Sequence, residues 1–391
     1  MAVPLWLIAP MLLSLLILLF FAPAGLAEDG PPPPAIAARS AIMINADTGQ
    51  VLMSVNPDEH LAMASTTKMM TALLIIENCK DLNAQVTTSQ RAAEIGESSI
   101  FLQAGEKLTV TEMLNGMLIQ SGNDAAIALA EYEAGTVENF AEQMNRRAAQ
   151  LGMTNTHFTN SHGLDEPNHF TSAADFAILG RELMKHPEIR EIVKRTEYNI
   201  PWPGQPYPRT LITHLHLMET YPFINGIKTG FTDAAGQCVV VSAGKNGVNL
   251  ILSYLGGPSL GERDTDVLNM LQYGFDNFRE QTVITQGAET ASIDVPFYYN
   301  KKLSLAAESS LTRVVCIKDK IEQKLVLPQE LHLPIHKGDR IGLVEVQDNG
   351  KFMGSSYLIA TEDFADPGMG ERVGYYVKSA FGFLLSAIKP G

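Results

Sequence analysis

A serine followed three residues later by a lysine, Ser65-Thr66-Thr67-Lys68, opens a continuous apolar stretch at 63–77. On a helix, positions three apart share a face, so the Ser65 hydroxyl and the Lys68 amine would meet. A serine in a first helical turn lies where the dipole and unpaired N–H groups favour a developing negative charge. Lys68 leads into Met69-Met70-Thr71-Ala72-Leu73-Leu74-Ile75-Ile76, which lays its stem on a buried surface. Desolvation there would lower its pKa and make it a base beside a nucleophile, the pairing that acyl transfer needs. The blander reading is an N-capping serine beside a snorkelling lysine. At ordinary residue usage a chain this long holds about one Ser-x-x-Lys by chance.

Two further clusters carry similar chemistry. Ser121-Gly122-Asn123 follows Met117-Leu118-Ile119-Gln120. It offers a hydroxyl that can relay a proton and an amide that can hold a peptide group. Its plain alternative is a turn with a helix N-cap at Ser121 or Asp124. Lys228-Thr229-Gly230 lies within Asn225-Gly226-Ile227-Lys228-Thr229-Gly230-Phe231. On a strand edge the cation attracts a carboxylate, the hydroxyl bonds it, and the glycine lets another backbone come close. The alternative there is an ordinary strand with an exposed lysine.

Together the clusters are far more specific than any one of them. Ordered as helix start, loop between helices and strand before a turn, they resemble the penicillin-recognising serine acyl-transferases. In particular, 62–72, 121–126, 160–165 and 226–230 are similar to the low-molecular-mass penicillin-binding proteins that act as D-alanyl-D-alanine carboxypeptidases. The resemblance implies that Ser65 is acylated by the penultimate D-Ala carbonyl, that Lys68 takes its proton, and that Ser121 returns a proton to the leaving amine. It implies that Asn123 holds the substrate amide and orients Lys68, and that Lys228 and Thr229, with Gly230, receive the terminal carboxylate. The backbone N–H groups of Ser65 and Phe231 would form the oxyanion hole. Phe231 departs from the His or Tyr frequent in relatives, and Thr213-His214-Leu215-His216 departs from their Asn-rich form. No metal or organic cofactor is implied. The expected partners are peptidoglycan stem peptides, β-lactams as covalent inhibitors, and a membrane surface, with no nucleic acid. A DD-endopeptidase or a β-lactamase would keep the same motifs, and a wall-binding scaffold with a vestigial site is the non-enzyme rival.

His162 and His169 near a serine raise the possibility of a Ser-His-Asp triad, but a lysine already stands one turn from Ser65, which favours loop-structuring histidines. Asp165-Glu166-Pro167-Asn168 faintly resembles the loop bearing the deacylating glutamate of class A β-lactamases. Cys79 and Cys238 are candidates for a disulfide or for two small core residues, and Cys316 is left single either way.

The elements that must position these groups follow from pattern. The chain has 391 residues, 46% of them apolar and 18% charged, with a formal net charge of −14. That is ample for a large core and unlike a nucleic-acid binder, which carries a basic face. Three cysteines exclude a disulfide scaffold, and no Cys/His cluster has zinc spacing. Residues 1–27 contain no Lys or Arg and read as a secretory signal cleaved after Ala27, with an uncleaved anchor as the alternative. The enzyme is expected on the periplasmic face of the cytoplasmic membrane.

An α+β catalytic domain is expected over 28–285, with an antiparallel sheet flanked by helices. Its elements include a hairpin at 40–55, helices near 63–77, 111–132, 137–151, 173–185, 187–196 and 263–279, and strands from 226 to 255. Short strands and turns over 286–370 read as a sandwich-like all-β domain. In 371–391, Val373, Tyr376, Val377, Ala380, Phe381, Leu384, Leu385 and Ile388 form one apolar stripe, read either as a helix docked on the β domain or as a membrane-anchoring one.

Overall fold

The computed structural model describes residues 32–387, with side chains as far as Ser379. The expected signal at 1–27 lies outside the described residues. β1 (Ser40–Asn45) and β2 (Val51–Val55) form the expected hairpin. A 3-10 turn, Ala64–Thr67, runs straight into α1 (Lys68–Asn78). A helical layer follows, made of β3 (Gln85–Thr87), α2 (Gln90–Glu94), β4 (Lys107–Thr109), α3 (Val110–Leu118), α4 (Asn123–Ala134), α5 (Val137–Leu151), α6 (Ala173–Leu183) and α7 (Pro187–Val193). The single helix expected over 111–132 is two helices. Ser121 adopts φ +66° between them, a left-handed turn that no helix can run through. α3 opens on a capping box between Thr109 and Glu112.

Next come β5 (Glu197–Ile200), β6 (Arg209–Ile212) and α8 (Leu217–Thr220), then β7 (Ile224–Thr232), β8 (Gly236–Lys245), β9 (Val248–Gly257) and α9 (Leu260–Asn277). The central sheet has order β2-β1-β9-β8-β7 and is antiparallel throughout. Both of its faces are buried, so side chains of alternate parity feed two cores. Ile42, Val240 and Ile251 face the core shared with α1, α3, α4 and α6. Met43, Val239, Val241, Leu250 and Leu252 face a second core beneath Val267, Met270 and Leu271 of α9. β7 is one edge of this sheet, and the 3-10 turn carrying Ser65 packs beside it.

The rest is β-rich: β10 (Phe278–Ile284), β11 (Glu289–Asp294), β12 (Lys302–Ala307), β13 (Leu311–Cys316), β14 (Ile321–Val326), β15 (Arg340–Asp348) and β16 (Lys351–Ala360). Five of these form a sheet of order β11-β12-β16-β15-β14. β10 pairs with β13, so this strand joins the β-rich part ahead of the change in composition at 286. Phe278, Val314 and Cys316 still reach into the α9 core, which makes the β10–β13 ribbon the seam between the two parts. α10 (Met369–Ala387) ends the described chain. Among the described residues, no helix is long and apolar enough to cross a membrane.

Candidate active site

The 3-10 turn holds Ser65 half-buried at the start of α1, and Lys68 follows one turn on, completely buried. Lys68 Nζ lies 2.8 Å from Ser65 Oγ, 2.7 Å from Asn123 Oδ1 and 2.6 Å from the His162 carbonyl oxygen. Burial holds the Lys68 pKa well below the ordinary lysine value, and the neighbouring Lys228 lowers it further. Ser121 is buried and lies two residues before Asn123, across the break between α3 and α4. Neither Ser121 nor Asp124 caps α4. The N-cap is Gly122, without a side-chain bond, and Asp124 turns its carboxylate to a neighbouring segment instead.

β7 supplies the opposite wall. A Cβ on Gly230 would sit 2.9 Å from Ser65 N and 3.0 Å from Ala64 Cβ, so only glycine lets the strand lie this close to the turn. Lys228 is not the exposed strand lysine of the bland reading but is buried, with Nζ donating to the Thr229 carbonyl oxygen at 2.9 Å. Its pKa is lowered to about 7 by burial and then by the charge of Arg263. Arg263 is already paired with Asp264 at 2.7 Å, so the charge left to be relieved by an anion such as a carboxylate is that of Lys228. Phe231 exposes its ring to solvent, while Thr229 is buried.

The structure thus joins Ser65, Lys68 and Asn123 by hydrogen bonds and sets Gly230 against Ser65. The sequence reading missed Arg263, which it saw only as the start of an amphipathic helix. It also missed Gly163, at φ +96°, whose Cβ would lie 1.9 Å from the Ala64 carbonyl oxygen. The glycine in Ser161-His162-Gly163 was the signal for that close approach; nothing local marked Arg263.

The histidines are structural. His169 Nε2 meets Thr67 Oγ1 at 2.9 Å, while its Nδ1 accepts from Thr159 N at 3.0 Å. His162 Nδ1 accepts from Leu164 N at 3.1 Å. Burial first lowers both pKa values, to about 3 for His162 and about 4 for His169, so both rings stay neutral. Glu166 is exposed in the loop, and its neighbour Asp165 accepts from Thr232 Oγ1 at 2.8 Å. Cys79, Cys238 and Cys316 are all free thiols, so the Cys79–Cys238 pair does not form. Among the described residues, no group of three or more His, Cys, Asp or Glu could hold a metal ion.

The family model for D-alanyl-D-alanine carboxypeptidase matches residues 27–259, and that for the C-terminal domain of penicillin-binding protein 5 matches 278–365. The chain is 34% identical to the D-alanyl-D-alanine carboxypeptidase DacF of Bacillus subtilis, over 90% of this chain and 93% of that protein. It is also 34% identical to DacC of Escherichia coli, over 93% and 94% of the two chains. Penicillin-binding protein 5 of Haemophilus influenzae superposes with a TM-score of 0.69 at 30% identity, covering 86% of this chain and all of that one.

Proposed function

Since the chain belongs to the D-alanyl-D-alanine carboxypeptidase family, we propose that it removes the terminal D-Ala of peptidoglycan stem pentapeptides through an acyl-enzyme on Ser65. The chain is a serine-peptidase hydrolase of the penicillin-binding carboxypeptidase class. The observation that carries the mechanism is the 2.8 Å contact between Lys68 Nζ and Ser65 Oγ.

In this reading neutral Lys68 accepts the Ser65 proton as Oγ bonds to the penultimate D-Ala carbonyl carbon. The resulting oxyanion takes hydrogen bonds from Ser65 N–H and Phe231 N–H, each worth about 3–4 kcal/mol in the transition state. As the C–N bond breaks, Ser121 gives its hydroxyl proton to the leaving D-Ala amine and takes in its place the proton held by Lys68, which returns to its neutral form. Water then attacks the ester and frees Ser65. Lys228 and Thr229 hold the terminal carboxylate, Asn123 the substrate amide. The test is labelling of the purified chain with fluorescent penicillin together with D-Ala release from a pentapeptide. Ser65→Ala should abolish both; labelling that survives would place the acylated residue elsewhere.

We also propose a periplasmic enzyme held at the membrane surface by α10. Val373, Tyr376 and Val377 expose their side chains on this helix, which supports the reading. Its first turn is tied to the β part by Arg372, which pairs with Asp366 at 2.5 Å and stacks over Phe297. Phe381, Leu384, Leu385 and Ile388 of the stripe have side chains outside those described.

A further inference from the structure

Asp124 follows Asn123 in α4 and is 1% exposed. Its carboxylate accepts from Ser99 Oγ at 2.6 Å, Ile100 N at 3.0 Å, Leu102 N at 3.1 Å and Ala125 N at 2.9 Å. Three of these four donors belong to the segment 98–102. That segment needs an outside anchor, because Glu97 and Phe101 adopt φ +68° and +61°, a region that L side chains avoid. The Ile100 backbone and side chain are also wedged against Gly122 and Gly116, where a Cβ would meet Ile100 atoms at 3.1 Å and 2.6 Å.

The same stretch of chain grips Asn123 twice. Asn123 N donates to the Ser98 carbonyl oxygen at 2.8 Å, and Asn123 Nδ2 donates to the Gly96 carbonyl oxygen at 3.0 Å. The second bond decides the orientation of the amide: with Nδ2 held by Gly96, Oδ1 must face Lys68, which it does at 2.7 Å. If the 96–102 stretch relaxed, the amide could turn and offer Lys68 a donor in place of an acceptor.

We propose that Asp124 is a positioning residue for the reaction: its carboxylate fixes the 96–102 stretch, that stretch fixes the Asn123 amide, and the amide oxygen holds Lys68 against Ser65. This rests on the reading of Lys68 as the base for Ser65. It differs from a purely structural role because the Asp124 charge also acts on Lys68, opposing the effects of burial and of Lys228. His162, and His214 near Lys228, stay neutral, with pKa values lowered to about 3 and about 4 by desolvation first and then by the lysine charges. Lys228 itself titrates at about 7, but it is present in every variant.

The experiment measures the rate of acylation by benzylpenicillin against pH for the full chain, for Asp124→Asn and for Ser99→Ala, with unfolding midpoints recorded alongside. Asp124→Asn should slow acylation on the order of 100-fold, the usual scale for a misplaced catalytic group. It should also move the acid limb of the profile to lower pH, because Lys68 loses the negative neighbour that favours its charged form. Ser99→Ala removes one donor and leaves the charge, so it should slow acylation about 2- to 10-fold and leave the limb in place. An Asp124→Asn enzyme with an unmoved acid limb would overturn the proposal. Should that variant not fold, Ser99→Ala decides, and a wild-type rate there overturns it. A wild-type chain that takes up no penicillin would instead defeat the reading of Ser65.

Discussion

The carbonyl oxygen of His162 lies 2.6 Å from Lys68 Nζ, on the main chain of a loop nearly a hundred residues away. With Asn123 Oδ1 it gives the amine two fixed acceptors. A neutral amine has two N–H bonds and one lone pair. When both N–H bonds point at these oxygens, the lone pair is left for the third neighbour, Ser65 Oγ. The loop thus turns a buried lysine into a base aimed at one hydroxyl.

Lys68→Ala should therefore lower the rate of penicillin acylation by about 10²- to 10⁴-fold, the usual scale for loss of a positioned base. Lys68→Arg should do no better, since a guanidinium keeps its proton and has no free lone pair. Acylation rates of the two purified variants decide the point. An arginine enzyme with wild-type rate would show that the charge, not the lone pair, is what matters. In the wild type, the acid limb of the rate should lie well below the ordinary lysine range, because burial and then Lys228 lower the Lys68 pKa.

Lys228 carries a second pH signature, this time in stability. Its folded pKa of about 7 lies below the 10.5 of an ordinary lysine. Between these values the unfolded chain binds the additional proton, so this group makes stability rise with pH across that window; below about 7 its full penalty stands. Lys228→Met removes the buried charge. It should stabilise the fold on the order of 2–4 kcal/mol below neutral pH, with the gain fading as pH rises through the window. The same change should weaken turnover of peptides with a free C-terminal carboxylate by about 1.5–3 kcal/mol and spare amidated ones. Chemical unfolding across pH and paired peptide assays check the two halves. A stability difference that stays flat with pH, or equal loss on both peptides, would reject the corresponding half.

Gly163 and Gly230 both press on the turn that carries Ser65. At Gly163 an added Cβ meets the Ala64 carbonyl oxygen at 1.9 Å, and φ is +96°. Gly163→Ala should cost about 2 kcal/mol or more, from left-handed backbone strain plus displacement of the turn. Gly230→Ala, with its Cβ 2.9 Å from Ser65 N, should spare more stability but push the strand away from the nucleophile. We expect a smaller loss of stability than at Gly163, and acylation slowed on the order of 100-fold, for Gly230→Ala. Thermal unfolding and penicillin uptake measured on both proteins test this division; a Gly230→Ala enzyme with unchanged uptake would show that the close approach is dispensable.

What could be read in the sequence was local. The hairpin at 40–55, the apolar run after Lys68 and the strands after 224 all have patterns that act over a few residues. The reactive clusters were legible because each needs a fixed short spacing. What escaped depends on contacts distant in sequence. Nothing near Arg263 says that α9 delivers it beside Lys228, and nothing near Asp124 says that its carboxylate serves a segment twenty-odd residues earlier. Ser121-Gly122-Asn123 marked a loop between helices, but good helix formers on both sides of it hid where each helix ends. β10 was assigned to the wrong side of the change in composition because its partner, β13, comes after that change.

The last test concerns α10, where Val373, Tyr376 and Val377 stand at spacings of three and four and are 59%, 62% and 58% exposed. Tyr375 and Tyr376 pack edge-on against Phe297, so the helix is rooted on the β part at its first turns while Val373 and Val377 stay open. Moving a valine from water into a lipid boundary stabilises by roughly 1.5 kcal/mol, and Lys378 would add about 1 kcal/mol toward anionic lipid. Val373→Glu with Val377→Glu keeps the helix length and reverses the sign of both apolar contributions. The double variant, prepared without residues 1–27, should no longer sediment with vesicles containing anionic lipid. Its release of D-Ala from a small soluble peptide should be unchanged, because α10 is rooted on Phe297 of the β part and supplies none of the reactive groups. A variant that still sediments as well as the parent would rule out this stripe as the membrane contact.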